Sequence, residues 1–146
     1  MEFEENVVLK STSNIGLPIK LVTPDIKTNS SQTFESNDTR KDLVSDINLT
    51  ELKIKILKPS GATFDFLKSI EVFISAPNKN ETSVAILNPI GDGLYELNMQ
   101  TTDVNLKDYI AEESFTIRIE TVMDEVISQD HELVIYSKYK VKAKLL

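Results

Sequence analysis

The sequence predicts an all-β protein: an antiparallel β-sandwich of the immunoglobulin-like or a related type, with one or two short helices. Two observations carry this. The first is the stretch from Asp130 to Leu146, in which Leu133, Ile135, Tyr139, Val141, Ala143 and Leu145 share one parity while Lys138, Lys140, Lys142 and Lys144 fill the positions between. A strand sends alternate side chains to opposite faces, so this segment offers one apolar face to a core and one lysine-bearing face to water. Ser137 is the small polar residue on the inner parity. The second is that about eight such segments recur, separated by turn residues, at the spacing of a sandwich.

Length and composition agree with a folded chain. At 146 residues it has the size of one domain, 1–146, and residues 1–17 are expected to form a looser N-terminal strand. Hydrophobic residues make up 40% and charged residues 27%, which argues against wholesale disorder. No apolar run approaches the roughly 20 residues of a transmembrane helix. A net charge of −7 disfavours nucleic acid as a partner. With no cysteine there is no disulfide, thiol nucleophile or thiolate metal site, and compartment stays open.

Taken in order, Glu2 to Lys10 reads as a first strand of untidy parity, with Phe3 between Glu2 and Glu4 ahead of Val7-Val8-Leu9. Gly16 and Pro18 break it, and Ile19 to Val22 is a short strand stopped by Thr23-Pro24-Asp25, because proline removes a ladder donor. In the polar stretch from Lys27 to Asp38, Gln32 to Ser36 is expected to be a short strand anchored by Phe34. Thr39-Arg40-Lys41-Asp42 has the form of a capping box, and with Leu43, Val44 and Ile47 at helical spacing it predicts one or two helical turns.

From Asn48 to Leu57, Leu52, Ile54 and Ile56 alternate with Lys53 and Lys55, and Pro59-Ser60-Gly61 closes the strand. Phe64-Asp65-Phe66-Leu67 is too short for a helix and too dense in aromatics for one strand face, so a single turn plugging a sandwich end is expected. Ile70, Val72 and Ile74 resume period two. After Pro77 to Asn80, Val84 and Ile86 alternate with their neighbours to complete a hairpin, and Gly91-Asp92-Gly93 turns the chain into Leu94 to Met99 as the third strand of a meander. Asn105 and Asp108 start a short helix with Leu106, Tyr109 and Ile110 on one face. Phe115, Ile117 and Ile119 form the strand before the last.

Three segments, Asn37-Asp38-Thr39-Arg40-Lys41-Asp42-Leu43, Phe64-Asp65-Phe66-Leu67-Lys68-Ser69-Ile70 and Gln129-Asp130-His131 ahead of the lysine-bearing strand, together resemble uncharacterised β-rich domains of Bacteroidetes exported lipoproteins. The resemblance runs from Pro18 onward. It implies a periplasmic or cell-surface location with a lipidated N-terminal cysteine in the precursor, where this sequence instead begins Met1-Glu2-Phe3-Glu4-Glu5. The alternative is a cytoplasmic protein. The family transfers no functional residue.

Catalytic signatures are sparse. His131 is the only histidine, which rules out a multi-histidine zinc site, and its neighbour Asp130 points to the opposite face of a strand. No nucleophile elbow, P-loop or dinucleotide glycine fingerprint occurs, and there are four glycines in all. Asp92 and Asp103 lie in loops without the ligand spacing of a calcium site, so no metal or cofactor is expected. The 23 acids scatter over loops and outward positions, as solvated charges do, although two could meet across a cleft.

The one patterned charge is the row Lys138, Lys140, Lys142 and Lys144, with Tyr136 on the same parity. Lysines keep a sheet face soluble and protect edges. They also make a contact strip for an anionic partner, a phosphate-bearing lipid or acidic glycan of the envelope, to which Tyr136 adds a stacking surface for a sugar. The sequence therefore predicts a noncatalytic binding or structural module with those five residues as its candidate site. Its alternative is a carboxylate-dependent hydrolase whose site lies in loops at one sandwich end.

Overall fold

The last strand, β9 (His131–Ala143), runs through the interior of a sheet, paired along one edge with β1 (Glu2–Leu9) and along the other with β4 (Val44–Lys58). In the computed structural model, which describes residues 1–144, β7 (Glu96–Met99) completes this sheet in the order β1-β9-β4-β7. The second sheet has the order β2-β8-β5-β6, from β2 (Ile19–Val22), β8 (Ser114–Met123), β5 (Leu67–Ser75) and β6 (Thr82–Leu87). Beyond the break at Pro24, β3 (Ile26–Lys27) continues along β8. All strand pairs are antiparallel, and the two sheets close on a common apolar core. The chain is an antiparallel β-sandwich.

The parity of β9 is as the lysines imply. Leu133, Ile135, Ser137 and Tyr139 are buried, while Lys138, Lys140 and Lys142 are exposed. Phe3, Glu5, Val7 and Leu9 of β1 lie opposite Ser137, Ile135, Leu133 and His131, so Phe3, Glu5, Val7 and Leu9 share the inner face. The N-terminal strand is thus paired residue for residue. Glu5 is a charge of inward parity on an edge strand, a feature that discourages pairing with a second chain.

Several expectations are corrected. Gln32 to Ser36 is helical, within α1 (Ser30–Ser36), although Phe34 is buried as anticipated. A strand there would need alternate apolar residues, and this segment has one. Helical spacing instead turns Ser30 and Phe34 inward together, and the Ser30 hydroxyl donates to the Ala111 carbonyl at 2.8 Å. The two-turn helix expected from Thr39 is a single 3-10 turn, Lys41–Leu43, with no side-chain cap, and β4 starts at Val44. Register shifts in β4 between Val44 and Asp46 and between Leu49 and Glu51 keep Val44, Ile47, Leu49 and Leu52 all on the core side.

The meander is not formed. After β6 the chain crosses to the other sheet, where β7 pairs with β4. The crossing is fixed at the sandwich end by the 3-10 turn Phe64–Phe66: Gly93 N–H donates to Asp65 Oδ1 at 2.7 Å and Phe64 N–H to the Leu94 carbonyl at 2.9 Å. Both phenylalanines are buried, so that turn is the expected plug. A register shift opposite Val72 and Phe73 places Val84 and Ala85 together in the core and turns Ile86 outward, at 55% exposure.

At the other end α2 (Lys107–Ile110) covers the core with Leu106 and Ile110. Asn105 seats it. Its side-chain oxygen accepts from Lys107 N–H at 3.0 Å and Ile47 N–H at 3.1 Å, while its amide donates to the Ser45 carbonyl and to Asp46, both at 3.1 Å.

Ile135 is buried opposite Ile54. Ile135→Ala is expected to cost about 2–5 kcal/mol in urea unfolding, and Ile135→Lys to abolish the folded state, whereas Lys140→Glu shifts the midpoint little. Equal losses from Ile135→Lys and Lys140→Glu would refute the parity of β9.

Candidate functional site

The outer face of the four-stranded sheet collects the predicted site residues. Tyr136 is half-buried, Lys138, Lys140 and Lys142 are exposed, and Lys144 is exposed just beyond the strand. Cross-strand register supplies their neighbours. Glu4 of β1 and Lys53 of β4 flank Tyr136, and Glu2 and Glu51 flank Lys138. Asn48 lies opposite Lys140 and Asp46 opposite Lys142.

Charges alternate across this face. Lys53 Nζ lies 3.2 Å from Glu51 and 3.9 Å from Glu96, Lys55 Nζ 3.7 Å from Glu96, and Lys138 Nζ 3.9 Å from Glu2. Lys53 Nζ also stands 6.0 Å from the Tyr136 ring centroid, at the outer limit of a cation–π contact. Glu4, Lys53, Lys55, Val134 and Tyr136 line an open hollow of about 230 Å³. Partial burial, then Glu2, then Glu51 and Glu4, raise the Tyr136 phenol above its ordinary value, so it stays a neutral donor.

Lys53 and Lys55 were visible in the sequence as the outward residues of their strand. Their adjacency to Tyr136 was not, because it depends on β4 pairing with β9.

The Asp130–His131 pair does not converge. His131 is buried against Phe66, with ring centroids 4.6 Å apart, and its Nδ1 lies 2.9 Å from the Gln129 carbonyl. Asp130 is on the surface and accepts Ser11 N–H at 2.8 Å, which chiefly holds its carboxyl below the usual range, with Lys10 at 3.4 Å adding. Both residues tie loops together.

On the outer face of the other sheet, Arg118 makes a two-pronged contact with Glu81, at 2.7 and 2.8 Å, and its guanidinium stands 4.2 Å from the Phe73 ring centroid. Glu120 lies 3.4 Å from Arg118 and is directly opposite Glu71, which accepts from the Ser83 hydroxyl at 2.7 Å. The hollow beside Glu71 and Glu120 measures about 200 Å³. Among the described residues no three acidic or histidine side chains are grouped to hold a metal ion, and no helix is long and apolar enough to cross a membrane.

Comparison with protein families finds no matching family model, and comparison with curated proteins finds no match.

The hydrogen bonds from Arg118 lower the Glu81 carboxyl below its ordinary value of 4.5. A depressed carboxyl contributes stability that is complete above the unfolded value and is lost as pH falls through the folded one. Glu81→Gln is therefore expected to cost less than about 1 kcal/mol at neutral pH and to flatten the loss of stability on acidification below 4.5. Urea unfolding of both proteins at a series of pH values measures this, and an unchanged acid limb counts against the pair.

Proposed function

We propose that this protein is a noncatalytic binding module of the cell envelope, with its contact surface on the outer face of the β1-β9-β4-β7 sheet. One observation carries the reading. Toward the C-terminal end of β9 the β4 residues facing the lysines turn from acidic to mixed: Glu51 lies opposite Lys138, but the neutral Asn48 lies opposite Lys140 and Asp46 opposite Lys142. With Lys144, Lys140 and Lys142 make a cationic strip on a protein of net charge −7. Such a strip attracts anionic lipid headgroups or acidic glycan and repels groups that carry positive charge.

Export and tethering through a lipidated N-terminus are supported by the resemblance in Asn37–Leu43, Phe64–Ile70 and Gln129–His131, and kinship with immunoglobulin-like sandwiches by the two antiparallel sheets whose connections exchange strands. Membrane fractionation and N-terminal mass spectrometry of the native protein test the tether. A carboxylate-dependent hydrolase has one observation in its favour, Glu71 facing Glu120, but Ser83 and Arg118 already engage those carboxylates and the pair lies on a sheet face instead of among end loops.

Replacing Lys140, Lys142 and Lys144 together by Gln is expected to lower retention on phosphatidylglycerol vesicles or on immobilised polygalacturonate about tenfold at low salt, with no change in the thermal midpoint. Retention that is unaffected by the triple substitution and by salt overturns the reading.

A further inference from the structure

We infer that the Tyr136 hollow is a subsite for one residue of an uncharged glycan, its pyranose ring stacked on the phenol ring. This rests on the reading of the same sheet face as the contact surface, and it assigns the centre of that face a chemistry different from that of the lysine strip.

The hollow offers the two things a sugar ring needs. Tyr136 supplies a half-buried aromatic ring for the axial C–H groups, on a backbone held by pairing on both edges, with the Lys53 ammonium 6.0 Å from the ring centroid at its margin. Around it stand charged donors and acceptors in alternation: Lys53 and Lys55 donate, and Glu4 accepts. A hydroxyl group is both donor and acceptor, so a polyol satisfies either sign through charge-assisted hydrogen bonds.

The existing ion pairs decide the charge of the ligand. Lys53 and Lys55 already share Glu96, at 3.9 and 3.7 Å, and Lys53 also meets Glu51 at 3.2 Å. A uronate would have to displace those carboxylates while facing Glu4 across the hollow, and an amino sugar would bring its ammonium group against Lys53 and Lys55. A neutral hexose disturbs neither. At about 230 Å³ the hollow holds one ring, with neighbouring units of a chain lying over the flanking rows of the sheet.

The test is a titration of the ¹⁵N-labelled protein with cellohexaose, maltohexaose and mannohexaose, and in parallel with hexagalacturonate. The inference expects at least one neutral hexaose to shift the amide resonances of Tyr136, Lys53 and Lys55. Tyr136→Ala should weaken that binding about tenfold, while Tyr136→Phe stays within about threefold because the stacking face survives. Both changes lie on a half-buried outer position, and an unchanged thermal midpoint verifies the fold. Two results overturn the inference: no shift at Tyr136 with any neutral hexaose at millimolar concentration, or binding that Tyr136→Ala leaves intact. If hexagalacturonate then shifts only Lys140, Lys142 and Lys144, the subsite is refuted while the anionic contact surface stands. If neither kind of sugar binds and vesicles also fail, both readings fall.

Discussion

The structure depends on one constraint, the double pairing of β9. With partners on both edges its register cannot slip by one residue without sending Leu133, Ile135 and Tyr139 to solvent and the lysines into the core. The inner face of this strand meets Phe3 and, from the opposite sheet, Phe115, whose rings lie within 6.0 Å of Tyr139 in edge-to-face geometry. Burial there raises the Tyr139 phenol well above its ordinary value, which keeps it neutral in the core. Every other element either extends this sheet, faces it, or closes one of its ends.

The end closures show how few polar atoms are needed to fix a crossing between sheets. Asp65 holds Gly93 where its positive φ turns the chain toward β7, and Asn105 satisfies backbone groups of both α2 and β4 from one side chain. Without Asn105 the partly buried Ile47 N–H would lose its side-chain partner, and without Asp65 the Gly93 turn would lose its tie to the Phe64–Phe66 turn. Pro24 works in the opposite sense: it interrupts the edge along β8, and the Thr23 hydroxyl accepts Ile117 N–H at 3.0 Å in the gap.

Strands were legible in the sequence because period two is a local property; what failed was non-local. Val44 and Ile47, three apart, matched a helix because a bulge in a long strand adds one residue to the usual spacing of two, and nothing local separates the two cases. The same event in the β5–β6 pair put Ala85 in the core and Ile86 outside. Sheet order is likewise set by long-range pairing, so a short strand after a glycine turn looked like a meander although its partner was β4. At the candidate site the lysine row and Tyr136 were readable from one strand. Their acidic neighbours, and the placing of Lys53 and Lys55 beside Tyr136, were not, since these enter from β1, β4 and β7.

That difference changes what the lysine row means. On the sequence alone the four lysines form one uniform stripe, yet in the sheet their environments divide at Lys138. Below it, Glu2 and Glu4 on β1 and Glu51 and Glu96 on β4 and β7 balance the cations, giving a face with little net field and abundant donors and acceptors. Above it, Lys140 and Lys142 face the neutral Asn48 and the acidic Asp46 of β4, and with Lys144 they carry three positive charges. Salt screens every one of these exposed charges over a Debye length of about 8 Å, so an anion meets the excess positive charge only when it is close to the C-terminal end of the strip. The register that buries Ile135 therefore also sorts the outer face into a neutral centre and a cationic end, and the two proposed contacts use these separately.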